Sequence, residues 1–332
     1  MSPEPRAIQI GYKLSSEEFG PRELVRQARR AEEIGFRFGL ISDHFHPWTD
    51  RQGQSPFVWS VLGGIAEATE RLVVGTGVTC PTIRMHPAIV AHAAATAAAM
   101  LPGRFFLGVG SGENLNEHIT GHRWPPVEIR QAMLEEAVAV IRLLWQGGYR
   151  DHYGRFYTVE NARLYTRPPE PPPIYVAAGG PKAAALAARV GDGLVMSEMK
   201  PDVLRAFEQA GGGGKPRYTE LTVCWAPDEA QARRTAFEVW PIAGFTGPLN
   251  QDLAIPAHFE KAARMLTEDR VAEAVICGPD PGRHVEALVK HAEAGYTHVA
   301  VHQVGPDQEG FFRFYEREVL PAFERAGERR AA

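Results

Sequence analysis

The chain has 332 residues, of which 44% are hydrophobic and 23% are charged; these values are typical of a globular protein and exclude a disordered or fibrous one. Its 36 Lys and Arg residues are outnumbered by 40 Asp and Glu residues, and the net charge of -4 argues against a general nucleic-acid binder. Cys80, Cys224 and Cys277 lie far apart without a CxxC pair, which argues against a disulfide framework or a structural zinc site. We expect all three to be reduced and buried.

The sequence predicts a cytoplasmic protein with no membrane partner. The amino-terminal segment MSPEPRAIQIGYK lacks the apolar core of a secretory signal. The longest apolar stretch, from Ala88 to Met100, is too short to span a bilayer.

Strand-like apolar segments alternate with helix-like segments along the chain. Eight such strands over about 300 residues are typical of a (β/α)8 barrel. The rival fold, a doubly wound sheet, would have fewer strands and a GxGxxG turn after the first one, which is absent. The predicted strands span residues 8–14, 36–42, 71–80, 104–110, 174–178, 194–197, 221–226 and 298–304.

Two segments are longer than the connections that a minimal barrel needs. Residues 147–173 carry aromatic residues around a Gly154–Arg155 turn, which predicts a β-hairpin followed by a proline-rich connection. Residues 244–269 predict a loop with a short helix near Phe259. We therefore expect one barrel domain over residues 1–332 with these two insertions, because loops at the carboxyl-terminal face of barrel strands shape substrate pockets.

Titratable residues follow the second predicted strand, where barrel enzymes place their chemistry. Asp43, His44 and His46 first suggest a metal, but hydrolase barrels with a His-x-His pair carry it on the first strand and need further ligands. We favour no metal and a single general acid or base, His44, with Asp43 orienting it or binding a polar ligand edge. A zinc-dependent hydrolase, and an interior histidine without catalytic function, are the alternatives.

Other strand ends add candidate groups. Glu113, after the fourth strand, is suited to act as an acid with a raised pKa; capping of a helix by Glu113 or Asn114 is the alternative. Gly179 and Gly180 lead into a helix with Lys182, a weak indication of a phosphate site that an ordinary loop would also explain.

Four motifs together resemble the luciferase-like family of flavin and deazaflavin barrels, over essentially the whole chain. They are SDHFHPW (Ser42 to Trp48), GTGVTCPTIRMHP (Gly75 to Pro87), FLGVGSGENLNEH (Phe106 to His118) and GDGLV (Gly191 to Val195). More narrowly, they resemble the coenzyme F420-dependent oxidoreductases of the glucose-6-phosphate dehydrogenase type.

The resemblance implies a (β/α)8 barrel that forms a homodimer and binds coenzyme F420, with FMN as the alternative cofactor. A sugar phosphate would give its hydride to the deazaflavin, and His44 would take the hydroxyl proton. Trp48 would fix the substrate or the developing charge, and Glu113 would serve as acid or stabiliser. Cofactor contacts are implied for Asp43, Gly77, Val78, Cys80, Ser111, Gly112, Asn116, Ala177, Ala178, Gly179 and Gly180. The Gly77–Val78 step matches the bulge of the family, which is often a cis peptide.

The substrate is the least defined part of the resemblance. Lys200 and Lys261, with Arg283 as a looser match, fall where sugar-phosphate members hold the phosphate. A cavity without cations around Lys200 and Lys261 would favour a dehydrogenase for another alcohol, or a reductase. Preference for FMN would favour a monooxygenase, and unchanged behaviour after His44→Ala would favour a non-catalytic binding protein.

Overall fold

Eight parallel strands close into a barrel in the computed structural model, which describes residues 8–331 and their side chains as far as residue 327. The strands are β1 (Gln9–Leu14), β2 (Phe38–Ile41), β3 (Val73–Thr76), β4 (Phe105–Val109), β5 (Arg150–Tyr153), β6 (Thr158–Ala162), β7 (Ile174–Ala177), β8 (Gly193–Met196), β9 (Arg217–Cys224), β10 (Ile276–Cys277) and β11 (His298–Gln303). The barrel order is β1, β2, β3, β4, β7, β8, β9 and β11, and pairing of β11 with β1 closes the ring.

Helices follow the barrel strands and cover them. They are α1 (Pro21–Glu33), α2 (Val58–Ala68), α3 (Pro87–Met100), α4 (Asn114–Glu117), α5 (Val127–Trp145), α6 (Pro181–Val190), α7 (Pro201–Phe207), α8 (Glu229–Val239), α9 (Leu249–Asp252), α10 (Pro256–Ala263), α11 (Glu268–Ala272), α12 (Pro281–Glu293), α13 (Gln308–Phe314) and α14 (Leu320–Ala331). Leu24, Ala28 and Ala31 of α1 are fully buried, as their helical spacing predicts.

Aromatic rings fill the inside of the barrel. Phe38, Phe106 and Tyr218 are buried there, and the Tyr218 ring stacks on His298 at a centroid distance of 4.0 Å. Gly75 makes room for this packing, because a Cβ atom on it would lie 2.0 Å from the Phe106 ring. The interior is therefore a packed core, and the space for ligands lies at the carboxyl-terminal ends of the strands.

The predicted fold is confirmed. Each of the eight predicted strands overlaps a barrel strand, although β9 begins four residues before the predicted start at Leu221. The short strand β10, which pairs with the carboxyl-terminal end of β9, was missed because two residues carry no periodic pattern. Within 147–173, β5 and β6 form the expected antiparallel hairpin, and α10 is the expected helix around Phe259.

The three cysteines are free and buried, as predicted. No helix within residues 8–331 has the length and apolar character required to cross a membrane.

Candidate active site

A cavity of about 1220 Å³ opens at the carboxyl-terminal ends of the barrel strands. Fourteen of the predicted site residues line it: Asp43, His44, Gly77, Val78, Cys80, Ser111, Gly112, Glu113, Asn116, Ala177, Ala178, Gly179, Gly180 and Lys200. Residues 245–251 of the second insertion add another wall, with Gln251 held by a hydrogen bond from Arg130. The structure thus gathers nearly all of the predicted site around one space.

The His44 ring is fixed by one backbone contact. Its Nδ1 atom lies 3.2 Å from the carbonyl oxygen of His46, so the neutral ring donates there and presents its Nε2 lone pair to the other side. Nε2 lies 3.4 Å from a carboxylate oxygen of Glu17 and 3.4 Å from one of Glu113. An imidazole with a free Nε2 between two carboxyl groups is suited to accept a proton.

The two carboxyl groups beside His44 differ in proton affinity. Burial raises the pKa of Glu17, but the charge that His44 carries once protonated, the charge of Lys13 and a 2.6 Å hydrogen bond from Ser42 outweigh it, and the net shift is downward. Burial raises the pKa of Glu113, and the favourable charge of His44 does not compensate. Glu17 is therefore the anion of the pair, and Glu113 is the group that more readily holds a proton.

Asn116 joins the His44 segment to Glu113. Its Oδ1 accepts from the backbone N–H groups of Phe45 and His46 at 2.8 and 3.2 Å, and its Nδ2 donates to Glu113 at 3.1 Å. Glu113 stands at the amino-terminal cap position of α4 without capping it through its side chain. The capping alternative therefore does not account for this carboxyl group.

Asp43 does not orient His44. Its carboxylate accepts from Thr79 Oγ1 at 2.7 Å and from Arg84 Nη2 at 2.9 Å, while the His46 carbonyl orients the histidine. Arg84 also lies 3.6 Å from Glu117, whose pKa is raised to about 7 because burial outweighs the guanidinium and a backbone hydrogen bond. Asp43 is thus part of a buried hydrogen-bond network in the cavity wall.

Trp48 contacts His44 from outside the cavity. The two rings meet edge to face at 5.0 Å, and Trp48 in turn packs against Phe259 of α10 at 5.3 Å. Trp48, Leu115, Ile242 and Phe259 form one buried apolar cluster. The second insertion therefore contacts His44 through Trp48.

The backbone at Gly77–Val78 forms part of the cavity wall, and this peptide bond is cis, as the family resemblance implies. Lys13, buried beneath it, donates to the Gly77 carbonyl at 2.9 Å and pairs with Glu220 at 2.8 Å. Gly112 has a φ of +84°, and a Cβ atom there would lie 2.6 Å from the Cys80 sulfur. Glycine at position 112 keeps the wall open and its backbone unstrained.

The three predicted phosphate-binding cations are not brought together. Lys200 lines the cavity but pairs with Glu198 at 2.5 Å. Lys261 is exposed on α10 and outside the lining residues, and Arg283 bonds Glu229 and the Cys277 carbonyl. Arg270 is a cavity residue that the sequence did not single out.

No group of three or more His, Cys, Asp or Glu side chains within the described residues is arranged to hold a metal ion.

Sequence reasoning missed Glu17, Arg84, Glu117 and Glu220. Glu17 was detectable, because it follows β1 by three residues, at the same end of the barrel as His44. Arg84 forms ion pairs with Asp43 and Glu117, which lie far from it in the sequence. The spacing of residues along the chain does not indicate such contacts.

The fold and the cavity define a (β/α)8 barrel with titratable side chains around a cavity at the carboxyl ends of its strands. The chain belongs to the luciferase-like monooxygenase family, whose model matches residues 7–298. A protein of Beutenbergia cavernae described as F420-dependent glucose-6-phosphate dehydrogenase is 37% identical, with 98% of this chain and 100% of the relative aligned. One of Kribbella flavida with the same description is 38% identical, with coverages of 97% and 100%.

Solved structures agree on the fold. An F420-dependent secondary alcohol dehydrogenase, in complex with an F420–acetone adduct, superposes with a TM-score of 0.88 at 33% identity, covering 96% of this chain and 99% of that one. The coenzyme F420-dependent tetrahydromethanopterin reductase of Methanopyrus kandleri has a TM-score of 0.78 at 22% identity, covering 96% and 100%, and supports the fold alone.

Proposed function

We propose that this protein is a coenzyme F420-dependent dehydrogenase that oxidises a hydroxyl group, with a sugar phosphate of the glucose-6-phosphate type as substrate. The observation that carries the proposal is the position of His44, which lines the cavity, with Nδ1 against the His46 carbonyl and Nε2 3.4 Å from the Glu17 carboxylate. The descriptions of the aligned relatives supply the cofactor and the substrate class.

The residues of the cavity fit a flat cofactor with a phosphate-bearing tail. Its wall at Gly77, Gly110 and Gly112 carries no side chains, which leaves a surface for a ring system. Gly179 and Gly180 precede α6, where a Cβ atom on Gly180 would meet nothing within 4 Å, so backbone N–H groups are accessible to a phosphate. The eleven cofactor positions implied by the family all border this space.

When bound, the deazaflavin supplies the hydride acceptor. His44 Nε2 takes the proton of the substrate hydroxyl, and the Glu17 carboxylate stabilises the resulting imidazolium. Glu113, with its raised pKa, donates a hydrogen bond or a proton on the cavity side. Trp48 holds the His44 ring against rotation, and the loop of residues 245–251 excludes water from one side.

A second candidate is an F420-dependent dehydrogenase for an uncharged alcohol, or a reductase. One observation favours it: Lys200 is paired with Glu198, while Lys261 and Arg283 lie outside the cavity lining. A phosphate would therefore have to draw Lys200 away from Glu198 or Arg270 away from Glu273. An FMN-dependent monooxygenase is supported only by structures of low identity.

We also propose a homodimer in the cytoplasm. The α2 and α3 helices form an apolar groove with exposed Phe57, Ile89 and Met100, and α3 has no charged residue. Such a face is stabilised when a second copy covers it. Light scattering of the wild type and an Ile89→Glu variant tests this, and a monomeric wild type would refute it.

The function is tested by mixing the protein with oxidised coenzyme F420 and glucose-6-phosphate and following the deazaflavin absorbance. Loss of absorbance supports the sugar-phosphate dehydrogenase. Absence of loss with glucose-6-phosphate, combined with loss on a secondary alcohol such as 2-propanol, supports the second candidate. Absence of deazaflavin binding, measured by fluorescence, refutes both.

A further inference from the structure

A second acid–base pair lies buried behind the catalytic histidine. His302, at the end of β11, is 1% exposed, and neither of its ring nitrogens has a hydrogen-bond partner among the described residues. Its Nε2 atom lies 3.7 Å from Glu18, whose side chain is 5% exposed. Buried polar groups without partners are rare and costly, so this ring calls for a functional explanation.

A single hydroxyl connects this pair to Glu17. Ser15 Oγ lies 3.2 Å from Glu17 Oε2 and 3.3 Å from Glu18 Oε1, and Ser15 is 1% exposed. One hydroxyl proton serves only one of the two carboxylates at a time, and the oxygen is free to accept from the other once that group is protonated. Ser15 is therefore a bridge across which a proton can be exchanged.

We propose that the proton taken up by His44 is passed inward, through Glu17 and Ser15, and is held by Glu18 and His302 until product leaves. This inference rests on the proposed function, because it needs His44 to act as the base. Ser15, Glu18 and His302 do not touch the cavity, so they are positioning residues for the base.

The relay moves one proton and no electrons. The N–H bond of His44 breaks as Glu17 Oε1 gains the proton, and rotation of this carboxyl group presents the proton to Ser15 Oγ. Ser15 gives its own proton to Glu18 Oε1, and an O–H bond on Glu18 then yields an N–H bond on His302 Nε2. The final imidazolium faces the Glu18 carboxylate, which gives the buried anion a partner.

Among the described residues, the contacts of Glu18 and His302 include no further carboxylate that could accept the proton. Glu18 Oε2 accepts from the backbone N–H of Gly305 at 2.9 Å, and Trp240 packs edge to face on His302 at 4.5 Å. Tyr12 and Cys224 are close enough to Glu18 to interact with its charge. Burial and that charge both raise the pKa of these two side chains, so both stay neutral. With the cavity filled, the inward chain is then an outlet for His44 that does not require water.

A single-turnover experiment with the holoenzyme and a pH indicator tests the relay. In the wild type, we expect the proton to reach solvent at least several-fold later than the loss of deazaflavin absorbance. Ser15→Ala breaks the chain, so the lag disappears or absorbance loss slows tenfold or more. Ser15→Thr keeps the hydroxyl and should restore the wild-type behaviour. Simultaneous proton release and absorbance loss in the wild type would overturn the proposal.

Two further measurements separate a relay from a structural effect. A Ser15→Ala/His302→Gln double variant should be no slower than the slower single variant, because both act in one chain; additive losses would contradict this. In the protein without cofactor, NMR signals of the His44 and His302 rings should respond to pH together, and Ser15→Ala should uncouple them. If the two histidine signals respond together but the enzyme oxidises no substrate with coenzyme F420, the proposed function is refuted and the proton path between the two rings stands. If the two signals respond independently, the relay is refuted.

Discussion

The sharpest prediction concerns the charge beside His44. Glu17→Gln keeps the shape of the side chain but removes a negative charge 3.4 Å from Nε2. Two unit charges at that distance interact by about 5 kcal/mol at an effective dielectric constant of about 20. If about half of the imidazolium charge has developed in the transition state, the loss is about 2.5 kcal/mol, or roughly 60-fold in kcat.

The assay is deazaflavin absorbance at saturating substrate, with cofactor affinity measured separately by fluorescence. The loss should fall on kcat, while KM and cofactor affinity change less than about threefold, because Glu17 stabilises charge that arises during the reaction. Ser42→Ala is the matched control, since it removes a 2.6 Å hydrogen bond to Glu17 but keeps the charge. It should cost less than about tenfold. A Glu17→Gln variant within threefold of the wild type would refute the electrostatic reasoning.

Three other predictions follow from the site. His44→Asn should lower turnover by at least about 100-fold with unchanged deazaflavin binding; near-normal turnover would remove it from the role of base. Burial raises the pKa of Glu117 to about 7, so the native state holds a proton that the unfolded chain releases near 4.5. Stability should therefore fall by about 3 kcal/mol as pH rises from 4.5 to 7, and Glu117→Gln should flatten this profile in thermal melts; an unchanged slope would contradict it. Phe259→Ala should lower the free energy of unfolding by about 3–5 kcal/mol and also slow turnover through Trp48, whereas the equally buried Phe207→Ala should destabilise without slowing turnover at a temperature where both are folded. Equal activity of the two Phe variants would show that Phe259 does not act through Trp48.

The fold was predictable because each barrel strand is an apolar segment bounded by turns, and eight such segments with intervening helices leave few architectures. The rim residues were predictable for the same reason: the ends of parallel strands meet at one face, so His44 and Glu113 were expected to be close.

Pairing between distant segments was not predictable. Glu17 reaches His44 because the turn after β1 folds across the end of β2, and Arg84 pairs with Asp43 from 41 residues away. Position along the chain also does not show which acidic group a cation meets: Arg283 matched a phosphate-binding position loosely, and it contacts Glu229, 54 residues away. Periodicity reports which face of an element is buried, but not which polar groups meet across the fold.

The aromatic filling of the barrel has a consequence for the order of ligand exchange. Because Phe38, Phe106 and Tyr218 close the interior, the barrel offers no passage from its opposite end within the described residues. A ligand of this cavity would therefore enter and leave at the carboxyl-terminal face, which residues 245–251 border. If the proposed cofactor and substrate bind there one above the other, the deeper one arrives first and departs last, so steady-state kinetics should follow a compulsory order.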